Sequence, residues 1–313
     1  LVVYAGPTAA GCEGKNGLYH RNFQYFLHQG LPCSHAGTAG TMPPLLSVDF
    51  DFALVLTRSS YAVYEQQLKE VTAVCQSVRV VLREDRCYDL EAGRVVLATL
   101  NITSYDYYVH VNCGLVGPLS ASGRTSVAEE PFWPMQFLQP LQEKGRTHLV
   151  GLTFNCAIHP HVQSFLYATD REGLATILKA GCVFDCGTTL AHRGGRMSLV
   201  RRYEVGMSRA VVAAGGELAT ANTTNGWQNY RFSSETITQE RPPGCSDFWF
   251  RKDYPKNSLE APEGLAFWKV TSNMPDFPGL EKQLIAAEAR HKEMTSLLPP
   301  GHHVPTEICD YRY

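Results

Sequence analysis

The sequence predicts an α/β fold, a mostly parallel sheet with helices on both faces. Three observations carry that prediction. Apolar runs alternate with segments of helical periodicity from Leu1 to about Gly216, the runs are rich in Val, Leu and Tyr, and 44% of the 313 residues are hydrophobic, which is ample for a core. Strands that alternate with helices at this spacing join through right-handed crossovers.

Leu1 to Ala5 is a short apolar strand that breaks at Gly6-Pro7. From Asn16 the apolar residues Leu18, Tyr19, Phe23, Phe26 and Leu27 recur at helical spacing until Gly30. Asp51 to Leu56 is the second strand, Tyr61 to Cys75 the second helix, and Ser77 to Leu82 the third strand. The charged turn Arg83 to Asp89 then leads into a helix that reaches about Leu100. Next comes Tyr105 to Pro118, an apolar strand that stops at Asn112-Cys113-Gly114 and closes at Gly117-Pro118. In open α/β sheets ligands sit at the carboxyl ends of the strands, so this strand reads as the floor of a site or as a core strand with an ordinary turn. Phe132 starts another helix through Leu141, Thr147 to Phe154 is a fifth strand ending at Asn155-Cys156, and His161 to Thr169 is a further strand. A helix from Asp170 to Lys179 stops at Gly181, and one from Tyr203 to Ala214 ends at Gly215-Gly216. Residues 1–220 form the core in this reading. Residues 221–313 are a loop-rich extension of the same domain, with an amphipathic helix from Leu280 to Leu298 and a polar tail.

A formal net charge of -2 leaves no basic footprint, so nucleic acid is not an expected partner. No run of eighteen apolar residues occurs. The chain starts at Leu1 without a methionine, which leaves room for an upstream signal or anchor as its route to a membrane. Ten cysteines and the sequons Asn101-Ile-Thr103 and Asn222-Thr-Thr224 fit a disulfide-bearing, glycosylated protein of the secretory lumen (Golgi or endoplasmic reticulum) or a secreted one. Cys182 and Cys186 are the one close cysteine pair, and no second pair follows to make a zinc cluster.

There is no Gly-x-Gly-x-x-Gly after the first strand, no Walker lysine, no Gly-x-Ser-x-Gly and no His-Glu-x-x-His, which argues against dehydrogenase, NTPase, hydrolase and zincin chemistry. Polar residues gather at strand ends instead: Asp85, Arg86 and Asp89, then His110 and Asn112, then Asn155, with Glu204 at a helix start.

Arg83-Glu-Asp-Arg-Cys-Tyr-Asp-Leu-Glu-Ala92 resembles the Asn-Arg-Gly-x-Asp-x-Gly-Ala signature of nucleotide-diphospho-sugar glycosyltransferases of the GT-A fold, related to rhamnan-synthesis enzymes. Tyr105 to Pro118, Leu149 to Cys156, His161-Val-Gln163 and Tyr203 to Ser208 are similar to further blocks of that family in the same order. Asp85, Cys87 and Glu91 stand where the family has Asn, Gly and Gly, departures that bear on how closely a phosphate approaches that turn. The resemblance implies a transferase that moves a sugar from a nucleotide-diphosphate donor to a glycoprotein or polysaccharide acceptor. Asp85, Arg86 and Asp89 would then address the nucleotide, Asn112 and Asn155 the diphosphate or sugar, and Glu204 would take the acceptor hydroxyl's proton. His110-Val-Asn112 occupies the place of the family's metal-binding Asp-x-Asp, a poor match to the oxygen shell that Mg²⁺ or Mn²⁺ prefers, so weak metal use or none is expected.

Each residue also has a plain structural reading. Asp85 and Asp89 fit turns and helix caps, Arg83 and Arg86 a solvated surface, and Asn112 and Asn155 turn backbone. His110 fits a packed strand, Glu204 the first turn of a helix, and the tail pair His302-His303 a solvated end. A second function is compatible with those readings and with the lost glycines: a catalytically inactive relative that keeps the fold as a structural or carbohydrate-binding module.

Overall fold

The structure is a computed structural model and describes residues 1–9, 15–35, 48–85, 88–118, 132–143, 145–155, 158–186, 195–221 and 267–269. Its strands are β1 (Val2–Ala5), β2 (Phe52–Thr57), β3 (Val78–Arg83), β4 (Tyr107–Asn112), β5 (Leu115–Val116), β6 (Thr147–Gly151), β7 (Phe154–Asn155), β8 (His161–Val162), β9 (Leu166–Asp170), β10 (Glu217–Thr220) and β11 (Trp268–Lys269). Its longer helices are α1 (Lys15–Gln29), α2 (Arg58–Val74), α3 (Glu91–Thr99), α4 (Met135–Gln142), α5 (Arg171–Lys179) and α6 (Gly206–Ala213). α6 continues from a short helix Gly195–Leu199 through a π-helical segment Val200–Val205, so Glu204 stands inside a helical stretch and not in the first turn expected from the sequence.

Seven strands form one mixed, mostly parallel sheet in the order β10-β6-β9-β4-β1-β2-β3. β2 pairs parallel with β3, and β6 with β10. β9 is reversed and runs antiparallel to both β4 and β6. The reversal has a covalent cause: β6 reaches β9 through the short β7–β8 hairpin, and a connection without a crossover helix returns the chain antiparallel. That hairpin also interrupts the two long strands expected over 147–154 and 161–169, and β10 lies in a stretch for which no strand is expected from the sequence.

By contacts the chain divides into two units. The first comprises residues 1–5, 87–111 and 134–256. Its core is Leu149, Phe154, Val162, Ile177, Met207, Val211, Val212 and Leu218, where α5 and α6 cover the sheet. Each such side chain contributes about 1.5–3 kcal/mol when fully buried. α5 begins at Asp170, whose carboxylate accepts from the Gly173 amide at 2.7 Å, and it ends at Gly181, which takes φ +64° as a C-terminal glycine does.

The second unit comprises residues 6–86, 112–133 and 257–313. All six residues of β2 are buried, the signature of a strand covered on both faces. The Thr57 hydroxyl caps α2 by accepting from the Ser60 amide. At the other end of α2, Cys75 is bonded to Cys33 across a separation of 42 residues. Cys186, in the first unit, is also disulfide-bonded. The expected extension over 222–313 lies outside the described residues apart from Phe267 to Lys269, where β11 pairs antiparallel with β5.

Candidate functional site

In the first unit, Tyr203 to Ser208 holds the segment His161 to Ser164 in place. The Ser208 hydroxyl accepts from the Val162 amide at 3.0 Å. Glu204, in the π-helical segment, accepts from the Ser164 amide at 2.9 Å and from the Ser164 hydroxyl, both through Oε2, while Oε1 lies 3.3 Å from His161 Nε2. The other ring nitrogen of His161, Nδ1, lies 2.6 Å from the His159 carbonyl. His161 pairs across the β7–β8 hairpin with Asn155, so the structure brings Asn155, His161, Ser164 and Glu204 together. A π turn adds a residue to the helical repeat and is a common device at functional positions. Burial pushes the Glu204 carboxyl up, but the hydrogen bonds from His161 and Ser164 outweigh it and hold the group below its ordinary value. The carboxylate is therefore ionised at neutral pH, with both oxygens engaged.

A second cluster of the first unit surrounds His110. This residue is 1% exposed, stacks on Tyr167 at 5.3 Å between ring centroids, and has no hydrogen-bond partner for either ring nitrogen among the described residues. Burial drives its pKa down to about 4, against the opposing pull of nearby Asp89. Asp89 and His110 are thus in electrostatic reach of each other. Asp89 is not the cap of α3, because the N-cap position belongs to Leu90. Glu91, which stands at a glycine of the family signature, is buried and accepts from Arg94 Nε at 2.8 Å and from the Cys186 amide at 3.1 Å. That side chain stitches α3 to the segment around Cys186.

A cavity of about 30 Å³ adjoins both clusters, lined by Leu90, Tyr108, Ser164, Tyr167, Cys182 and Tyr203 among others. It has room for roughly two waters and is far below the several hundred Å³ that a drug-sized ligand occupies. Burial raises the Tyr108 and Tyr167 phenols and the Cys182 thiol, so these groups are neutral at pH 7. Tyr108 falls in the Tyr105 to Pro118 block, whereas nothing in the sequence singles out Ser164 or Tyr167 as part of a site.

In the second unit, the exposed Asp85 carboxylate accepts from the Ser59 amide at 3.1 and 3.2 Å. That contact lowers its pKa and places a negative charge at the N-terminus of α2. Asn112 Oδ1 accepts from the Gly114 amide at 3.0 Å, an Asx turn that shapes the loop after β4. α1 fastens the same loop: Asn22 donates to the Cys113 carbonyl at 2.8 Å and Tyr25 to the Pro118 carbonyl at 3.1 Å. Arg86 lies outside the described residues.

His110 and Asn112 do not make a shell for Mg²⁺ or Mn²⁺. The one offers a buried, neutral imidazole and the other a carboxamide oxygen already bonded within its own turn. Among the described residues no group of three or more His, Cys, Asp or Glu could hold a metal ion.

No family model matches the sequence, and no curated protein matches it. Solved structures do. A galactosyltransferase, LgtC, in complex with donor and acceptor sugar analogs matches with a TM-score of 0.30 and 12% identity over 71% of this chain and 72% of that one. An active-site mutant of LgtC matches with a TM-score of 0.34 and 11% identity over 96% of this chain and 97% of that one.

Proposed function

We propose that this chain is a GT-A-like glycosyltransferase that moves a sugar from a nucleotide-diphosphate donor to a glycoprotein or polysaccharide acceptor in the lumen of the secretory pathway. One observation carries the reading: Glu204 is a mostly buried carboxylate held ionised beside Ser164, His161 and Asn155, in sequence blocks that keep the family's order. Transfer from a nucleotide diphosphate develops negative charge on the leaving group and requires a base for the acceptor hydroxyl. Glu204 is the base in this proposal. An acceptor hydroxyl would have to take over the hydrogen bond that the Ser164 hydroxyl donates to Oε2. Asp85, Arg86 and Asp89 would contact the nucleotide, and Asn112 and Asn155 the diphosphate or sugar. No step is assigned to a metal. The Cys33–Cys75 disulfide supports the lumenal setting, because such bonds persist in oxidising compartments.

A second reading is a non-catalytic relative that binds carbohydrate. It is favoured by the engagement of both Glu204 oxygens, by the His110-Val-Asn112 triplet and by Cys87 and Glu91 in place of the signature glycines. A panel of nucleotide-diphosphate sugars, assayed for hydrolysis and transfer with and without Mn²⁺, separates the two. Turnover of at least one donor, lost in Glu204→Gln, supports the transferase. Sugar binding without turnover of any donor supports the module.

A further inference from the structure

We infer that Asn101 is an acceptor for an N-linked oligosaccharide. The inference shares only the lumenal setting with the transferase reading and is independent of any activity of the chain. Asn101-Ile-Thr103 forms an exposed turn between α3 and β4, with a 3₁₀ segment Ile102–Ser104. Asn101, Thr103 and Ser104 are all exposed.

The turn is organised around the acceptor side chain. The Thr103 hydroxyl donates to Asn101 Oδ1 at 2.7 Å, and the Ser104 hydroxyl donates to the Asn101 carbonyl at 2.7 Å. With Oδ1 engaged, the carboxamide plane is fixed, and Nδ2 makes no hydrogen bond among the described residues. The nitrogen that must react is thus the free end of an immobilised amide in open solvent, and the sequon hydroxyl is what immobilises it. Backbone bonds within the turn run from Ser104 N to the Asn101 carbonyl at 3.4 Å and from Tyr105 N to the Ile102 carbonyl at 3.1 Å, and Arg171 Nε donates to the Tyr105 carbonyl at 3.4 Å. A transferring enzyme can therefore reach the turn without opening a sheet ladder.

The chemistry balances with a lipid-pyrophosphate-linked oligosaccharide as co-reactant. Asn101 Nδ2 attacks the anomeric carbon, the N–C bond forms as the C–O bond to phosphate breaks, the lipid pyrophosphate leaves, and the amide proton passes to a base of the transferring enzyme. The turn precedes β4, whereas His110 lies towards that strand's far end. At about 3.3 Å per residue the two ends of the strand stand roughly 15–20 Å apart, so the attachment point at Asn101 is separated from the His110 end by the length of β4.

The test directs the whole chain into the endoplasmic reticulum of eukaryotic cells with a cleavable leader. The secreted protein is then treated with an amidase that releases N-glycans and mapped by peptide mass spectrometry. The expected result is conversion of residue 101 from Asn to Asp and a gel-mobility shift lost in both Asn101→Gln and Thr103→Ala but retained in Thr103→Ser. Thr103→Ala leaves the attachment residue intact, so its loss of glycan reports recognition of the hydroxyl. Unmodified Asn101 in secreted, disulfide-bonded protein overturns the inference, as does a glycan found only at Asn222. Because the leader imposes the compartment, that failure bears on Asn101 alone, while the transferase reading stands or falls with the donor panel.

Discussion

His110 shows what burial does to a single titrating side chain. Its folded-state pKa of about 4 lies below the ordinary value of 6.5, so the unfolded chain binds the proton more readily. Stability from this residue is therefore fully present above pH 6.5 and is lost as the pH falls towards 4, by an amount on the order of 3 kcal/mol. His110→Phe keeps the ring stacked on Tyr167 and leaves no buried nitrogen without a partner. It should be neutral or stabilising at pH 7 and should flatten the acid limb of a denaturant-midpoint-versus-pH series; an unchanged limb would rule the residue out as its source. Glu204 presents the opposite case, an anion kept charged by its neighbours. Ser164→Ala removes the hydroxyl donor and should raise the carboxyl pKa, moving the acid limb of the rate profile to higher pH. Glu204→Gln should cost at least 100-fold in kcat with little change in donor affinity, within the usual range for a general base. Wild-type turnover in Glu204→Gln would exclude it as the base. The sequence marks Glu204 as a carboxylate at a helix start, but the hydroxyl and imidazole that hold it charged belong to a separate segment, and no local pattern joins the two.

At the scale of elements, the two ends of α5 were legible, whereas the caps of α2 and α3 were not. Asp170 and Gly181 bracket α5 as the capping carboxylate of the one and the missing Cβ of the other predict, because both signals are local. The start of α2 was missed: the sequence places it at Tyr61, whereas the helix begins at Arg58 with Thr57 as its cap, and the anion at that end, Asp85, comes from the turn after β3, which no pattern within a single element predicts. The disulfide likewise depends on tertiary proximity, since ten cysteines allow many pairings. Cys33–Cys75 closes a 42-residue separation, and the chain-entropy argument gives about 4 kcal/mol for such a loop. Cys33→Ser/Cys75→Ser should lower the unfolding free energy by about that amount, measured in denaturant without reductant so that the bond at Cys186 stays intact in both proteins. Equal stability of the double variant and oxidised wild type would show that the bond contributes nothing.

For the molecule as a whole, the α/β class was legible because strand and helix periods alternate cleanly through β4. The direction of β9 was not, since a strand's own residues encode which faces are buried and not which way it runs beside its neighbours. Asp89 tests the assembled fold as a donor binder. Asp89→Ala should abolish nucleotide-diphosphate binding in calorimetry while leaving the melting transition in place, and unchanged affinity would remove that assignment.

The backward course of β9 brings more than an exception to parallel order. Its leading end, with Phe165 and Ser164 just ahead of it, arrives at the same edge where β4 and β6 finish. In an all-parallel arrangement every strand leaves that edge through a loop into a crossover helix. Here an incoming hairpin ends at that edge and leaves along the strand. It can change length and sequence while every crossover stays where it is.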